Sequence, residues 1–263
     1  MKIGVSTASL FGRLPNEDAI AYFNNVGVSD AEVFLTSFCE YDEDFGALVN
    51  ERRGQVRVHS VHVLNTQFEP QLFSTYERTK RDAYFWLEKA MRAARQFGAT
   101  HYTFHGTARY KKRARRGKYD DFNAIANSIA EISEFCAGLG VTLCLENVEW
   151  STCNRPDALK ELSARLPSLC TVLDIKQARI SGYPYEEYLA HMHNLTHVHV
   201  SDVDERGKIC LPGKGNFDFP LLFKRLKDKG FDGPVFIEAY KNDYDDLLEL
   251  KAAVDYLREC SLR

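Results

Sequence analysis

At 263 residues, with 44% hydrophobic and 27% charged residues, the chain has the composition of a globular protein and the length to bury a sizeable core. A formal net charge of −3 argues against a nucleic-acid partner, and no apolar run approaches the ~20 residues of a membrane span, so no membrane partner is expected either. Seven scattered cysteines, an odd number with no Cys-x-x-Cys, point to reduced thiols and a cytoplasmic setting rather than a disulfide framework.

The opening MKIGVSTASLF is too short for a signal peptide and reads as a first strand over Lys2 to Ser6. Further strands are expected at Asp30 to Leu35, Val56 to Leu64, His101 to His105, Thr142 to Val148, Thr171 to Ile175, His197 to Ser201 and Val235 to Ala239. All are short and rich in Val, Ile, Leu and Phe, as strands buried on both faces should be. Helices fall between them. Asn16 to Asn25 and Glu43 to Arg52 come first. Ser74 to Phe97 opens with a capping box at Ser74-Thr75-Tyr76-Glu77 and carries Ala83, Leu87, Ala90, Met91, Ala94 and Phe97 at helical spacing. Asp121 to Leu139, Pro156 to Arg165, Pro184 to Met192, Asp218 to Lys229 and Tyr244 to Glu259 complete the set. Strict alternation of strand and helix implies a parallel sheet with helical crossovers. Eight such units in a chain of this length predict a single (β/α)8 TIM barrel over 1–263. An open doubly wound sheet has the same local pattern, but Ser6-Thr7-Ala8-Ser9-Leu10-Phe11-Gly12 after the first strand is no Gly-x-Gly-x-x-Gly phosphate fingerprint.

In such a barrel the chemistry sits at the C-terminal ends of the strands. Four consecutive strands each end on one polar residue: Glu146 in LCLENV, Asp174 in TVLDIK, His199 in HVHVSD and Glu238 in VFIEAY. A carboxylate after an apolar run is costly unless it meets a cation. Three carboxylates and an imidazole at one mouth suit Mn²⁺, Mg²⁺ or Co²⁺, with Zn²⁺ also compatible. Upstream, His62 and His105 are placed as substrate contacts, whereas His59 and His197 lie further back and are expected to be satisfied barrel histidines.

Together, RVHSVHVL, FHG, LEN, LDIKQA, HVHVSD, PGKGNFDF and FIEAY resemble, in order and over nearly the whole chain, the sugar isomerase/epimerase group of xylose isomerase-like barrels. The resemblance implies one divalent ion, Mn²⁺ favoured, held by Glu146, Asp174, His199 and Glu238, with Glu146 and Glu238 doubling as the acid/base pair. A metal-stabilised enediolate would then be reprotonated on its other face (epimerisation) or on the neighbouring carbon (isomerisation). The implied partner is a small sugar or sugar phosphate. The same opening step serves a lyase, such as a keto-inositol dehydratase or a 3-keto-glycoside-cleaving enzyme. A non-catalytic sugar-binding barrel would not need both glutamates. Endonuclease IV, a trinuclear zinc enzyme of abasic DNA in the same superfamily, shares His62, His105, Glu146, Asp174, His199 and Glu238. It has His where this chain has Gln177, and Asp-x-His where Gly207-Lys208-Ile209 stands, so its third ion lacks ligands here.

Beside these, Asn147, Trp150, Gln177 and Lys214 are candidate substrate-binding residues. Lys214 follows the seventh strand, where barrels often bind phosphate, although its flanking glycines equally suit a tight turn. Phe11, Tyr183 and Tyr240 are further aromatic candidates for a sugar-facing wall, set against ordinary packing. The stretch Arg109 to Lys118 holds seven basic residues next to the predicted mouth. It is read first as a solvated loop or a homo-oligomer contact, second as a phosphate clamp, and third as a nucleic-acid contact, for which a single loop on a net-acidic chain is a weak footprint.

Overall fold

The structure, a computed structural model, describes residues 1–64, 68–107 and 121–262. The basic stretch Arg109 to Lys118 therefore lies outside the described residues. Strands β1 (Lys2–Ser6), β2 (Asp30–Leu35), β3 (Arg57–Val63), β4 (His101–Phe104), β5 (Thr142–Glu146), β6 (Cys170–Asp174) and β7 (Asn194–Val200) follow one another around a barrel. A short antiparallel hairpin, β8 (Asp202–Val203) with β9 (Ile209–Cys210), comes before β10 (Pro234–Ile237). β10 pairs in parallel with both β7 and β1 and closes the ring. The doubly buried strands predicted from the apolar runs are all present, displaced by three residues at most at either end.

Helices α1 (Asn16–Asn25), α2 (Glu43–Arg52), α3 (Glu77–Gln96), α4 (Phe122–Gly138), α5 (Pro156–Arg165), α6 (Ile175–Ile180), α7 (Tyr185–Leu189), α8 (Phe219–Asp228) and α9 (Leu248–Leu262) surround it. Burial follows the helical stripe. In α3, Ala83, Leu87, Ala90, Met91 and Ala94 are buried against the barrel. A fully buried Leu such as Leu87 stabilises the fold by roughly 1.5–3 kcal/mol.

The departures from expectation have local causes. The capping box at Ser74 does not form: Ser74 Oγ accepts instead from Tyr76 N–H at 3.1 Å, an ST turn that holds the helix back to Glu77. The last helix starts at Leu248 rather than Tyr244: the Arg13 guanidinium takes the carbonyls of Tyr244 and Asp245, which an earlier helix would use, along with that of Lys241 before them. The helix expected at Pro184 to Met192 shrinks to α7. An unexpected helix, α6, follows β6 directly, capped by Asp174, whose Oδ1 accepts from Gln177 N–H at 2.8 Å.

Candidate metal centre

Four strand ends deliver the four predicted residues to one place. Glu146 closes β5 and Asp174 closes β6; His199 pairs in register with Asp174 on β7, and Glu238 follows the last residue of β10. One ligand atom from each of Glu146, Asp174, His199 and Glu238 lies within 4.8 Å of the others, and all four residues are buried. His199 Nδ1 is the hub, 2.8 Å from Glu146 Oε1 and 2.7 Å from Glu238 Oε2.

Three buried carboxylates so close together repel one another strongly in a low-dielectric site. Burial pushes the Asp174 carboxyl up to about 7 against the pull of Lys176. Glu146 and Glu238 go the other way: burial would raise them, but His199 holds Glu146 down, and Lys176 with His199 holds Glu238 well below the usual carboxylate range. Glu238 Oε2 and Glu146 Oε1 both crowd the one nitrogen His199 Nδ1, which has at most a single proton to give. A small cation resolves all of this. The donor set fits one: three hard carboxylates and one imidazole suit a divalent ion of the Mn²⁺, Mg²⁺, Co²⁺ or Zn²⁺ type.

Behind the imidazole stands Glu32, on β2 and fully buried at the barrel axis. Its Oε1 is 3.1 Å from His199 Nε2, and its oxygens accept from Ser6 Oγ (3.1 Å), Ser60 Oγ (2.8 Å) and Thr103 Oγ1 (2.6 Å). A carboxylate facing Nε2 favours the tautomer with its proton there, leaving the Nδ1 lone pair for the cage. The opposing effects on Glu32 are burial, which raises its carboxyl, and the facing histidines, led by His199, which hold it well below its usual range.

His62 and His105 meet beside the cage, Nε2 to Nε2 at 2.8 Å, with His105 Nε2 3.9 Å from Glu146 Oε2. Each again has a carboxylate at its other nitrogen: Glu69 Oε2 is 2.6 Å from His105 Nδ1, and Glu32 Oε1 is 3.4 Å from His62 Nδ1. Burial opposes protonation of His62, yet Glu32 takes it up to about 9. Donor atoms of His62, His105 and Glu146 also lie within 4.8 Å of one another.

The remaining candidates divide. His62, His105, Trp150, Gln177 and Tyr240 line a mouth cavity of about 110 Å³ with Glu146, Asp174 and Glu238. Gln177 Oε1 accepts from Glu149 N–H at 3.1 Å. Asn147 is not among the residues that line this cavity. Its amide donates to Asp174 O at 2.9 Å and accepts from Asp174 N–H at 2.8 Å, clamping β5 to β6, so both ends of the group expected to orient substrate are in use. Lys214 is 58% exposed and pairs with Glu249 at 3.4 Å, away from the residues that line the cavity. The loop around it is the tight-turn alternative: Gly213 and Gly215 N–H groups donate to Asp202 Oδ2. Phe11 packs edge-on to Phe34 at 5.9 Å, and Tyr183 lines a separate cavity. His197 is satisfied by Thr103 and Thr196, as expected of a barrel histidine. His59 is not: its Nε2 has no hydrogen-bond partner among the described residues, and its ring stacks on His101 at 4.2 Å.

Three residues of this region were not anticipated: Glu32, Glu69 and Lys176. Lys176, in the first turn of α6, has a side chain 4% exposed, with Nζ 3.3 Å from Glu238 Oε1 and 3.9 Å from Asp174 Oδ2. Burial alone would push the ammonium down, but Glu238 and Asp174 hold it above its ordinary range.

A closed eight-stranded parallel barrel with this arrangement at its C-terminal mouth is a (β/α)8 protein with a centre suited to a divalent ion. The chain belongs to the xylose isomerase-like TIM barrel family, whose profile matches residues 20–260. It is 30% identical over 144 residues to an uncharacterized protein of Methanocaldococcus jannaschii, a match spanning 50% of this chain and 47% of that relative. Among solved structures it is similar in fold to D-psicose 3-epimerase from Clostridium cellulolyticum, at TM-score 0.79 and 15% identity, with 99% of each chain covered. The 3-keto-D-glucoside 4-epimerase of E. coli gives TM-score 0.74 at 17% identity over 99% of this chain and 100% of that one. A probable 3-DHS dehydratase of Bacillus anthracis gives 0.73 at 15% identity over 98% and 99%. Among the described residues no helix is long and apolar enough to cross a membrane.

Proposed function

We infer that the chain is a metal-dependent isomerase or epimerase of a small keto-sugar, free or phosphorylated, with Glu146 and Glu238 as its acid/base pair. The observation that carries this reading is the convergence of Glu146, Asp174, His199 and Glu238, with donor atoms within 4.8 Å. Binding alone does not call for two buried glutamates at such a centre. The epimerases among the structural neighbours support the reading through their shared fold.

When bound, a divalent ion at this position polarises a carbonyl and stabilises negative charge on its oxygen. The chain's own residues do the rest. In this reading a carbon acid in the mouth cavity would lie between the carboxylates of Glu146 and Glu238. One accepts its proton and the other, protonated, returns a proton to the opposite face, which inverts the centre. Glu238 divides its two oxygens: Oε1 receives Tyr240 Oη–H at 3.2 Å and faces Lys176, while Oε2 faces His199. His62 and His105 are placed to contact substrate hydroxyls, Trp150 forms a wall against a sugar face, and Gln177 lies within the lining. Asn147 acts one step back, fixing the backbone of Asp174.

The test is carbon-bound proton exchange into a panel of ketoses in D₂O with Mn²⁺ supplied. Wild-type protein should exchange, and Glu146→Gln and Glu238→Gln should each lose on the order of 10²–10⁴ in rate. Undiminished exchange in both variants overturns the mechanism. NMR of the products separates isomerisation from elimination: loss of water or of an aglycone assigns the chain to lyase chemistry on the same centre.

A further inference from the structure

We propose that Lys176 is a resident cation of the carboxylate cage, there to balance the charge that one divalent ion leaves over and so to set which ions the cage accepts. The proposal rests on the metal-centre reading above and concerns a residue outside the ligand set.

The argument is one of charge and place. Glu146, Asp174 and Glu238 bring three negative charges into a buried volume. A divalent ion cancels two of them. The third stays uncompensated in a medium where an unpaired charge is costly. His199 contributes no charge when it ligates through a neutral ring, and Glu32 is already faced by His62, His197 and His199. Lys176 supplies the missing positive charge on the correct edge of the cage, 3.3 Å from Glu238 Oε1 and 3.9 Å from Asp174 Oδ2. Its Nζ also lies 4.2 Å from the centroid of the Tyr240 ring, a cation–π contact. Its side chain is 4% exposed, and it stands on a helix whose start is fixed by Asp174 itself.

An ammonium in this position repels any incoming ion in proportion to that ion's charge. It lowers affinity for a divalent ion moderately and for a trivalent ion more. It also takes up Glu238 Oε1, which restrains that carboxylate from chelating with both oxygens.

The experiment measures ion binding, not turnover. Mn²⁺ binding is followed by the loss of its free EPR signal and Tb³⁺ binding by sensitised luminescence, in wild type, Lys176→Met, Lys176→Gln and Lys176→Arg. Thermal unfolding confirms that each variant is folded; the Gln variant carries the test if the Met variant is not. Removing the charge should tighten Mn²⁺ roughly 10- to 100-fold, the range over which outer-shell groups move metal affinity. Tb³⁺ should gain by a larger factor than Mn²⁺, and Lys176→Arg should stay near wild type for both. Unchanged or weaker Mn²⁺ binding in the neutral variants, with the wild type still binding, overturns the proposal and leaves the metal centre standing. Neutral variants that bind where wild type does not support Lys176 as the controlling charge and overturn the metal-dependent function. If no form binds Mn²⁺, both fail.

Discussion

Two groups of three histidines occupy the barrel interior, and their surroundings differ. At the mouth, His62, His105 and His199 each have a carboxylate at the ring nitrogen that faces away from the cavity: Glu32, Glu69 and Glu32 again. Deeper down, the His59 ring lies against His101 and His197, and both His59 and His197 lie against Phe236. His62 is lifted to about 9, whereas His59 falls to about 2, chiefly through burial with His197 and His101 nearby. The residue type is the same; the balance between burial and a facing carboxylate differs. Glu32 outweighs burial at His62, whereas at His197, 3.4 Å from the same carboxylate, burial prevails and lowers the ring to about 4.

The largest test of this contrast is removal of the shared carboxylate. Glu32→Gln should weaken Mn²⁺ binding roughly 10- to 100-fold by freeing the tautomer of His199, measured by metal titration against a folded control. Unchanged affinity would mean that the backing carboxylate does not orient the ligand. Next in size, Glu69→Gln should raise the substrate KM about tenfold, the worth of a charge-assisted hydrogen bond, while Mn²⁺ affinity stays within about twofold. A matching drop in metal affinity would instead give His62 and His105 a second ion, and elemental analysis would then find about two metals per chain. The last test lies at the deep cluster and is read through acid stability. His59 titrates near its ordinary 6.5 when unfolded but at about 2 when folded, so between those values the unfolded chain binds a proton that the folded one refuses. Stability should be complete above about pH 6.5 and decline as pH falls below it. Urea midpoints at several pH values should show a shallower decline for His59→Gln; an unaltered slope would remove His59 from the account.

Much of the architecture was readable from alternation alone. Apolar strands such as VRVHSVHVL and VFIEAY declare burial on both faces, and α3 shows its core stripe through alanines and leucines three and four apart. The cage residues were readable because each is a lone charge or imidazole at the end of an apolar strand. Glu32 sent the same signal from within Asp30–Leu35, but it lies mid-strand and points to the barrel axis, where a rule about strand ends does not look. Glu69 sits in a short 3₁₀ turn after β3, where no periodicity betrays it. Lys176 occupies the first turn of a helix, a place where a charge ordinarily meets water; only the third dimension shows Glu238 across from it. Asn147 illustrates the opposite error: its position beside Glu146 was correct, but its amide bonds along the sheet to β6, a partner far away in sequence.

The PGKGNFDF segment has the look of a phosphate cradle, and the structure shows why that look misleads. Asp202 projects into it and accepts from the backbone N–H groups of Val203, Gly213, Gly215 and Phe217. Gly215 is bound to its identity there, since a Cβ would stand 2.2 Å from Val203 O and 2.4 Å from Asp202 Oδ1. The nest thus arrives with its anion already built into the polypeptide. A phosphorylated sugar, if this chain takes one, must find its counter-charge elsewhere on the rim, because the amides that a phosphoryl oxygen would seek are permanently engaged by the protein's own carboxylate.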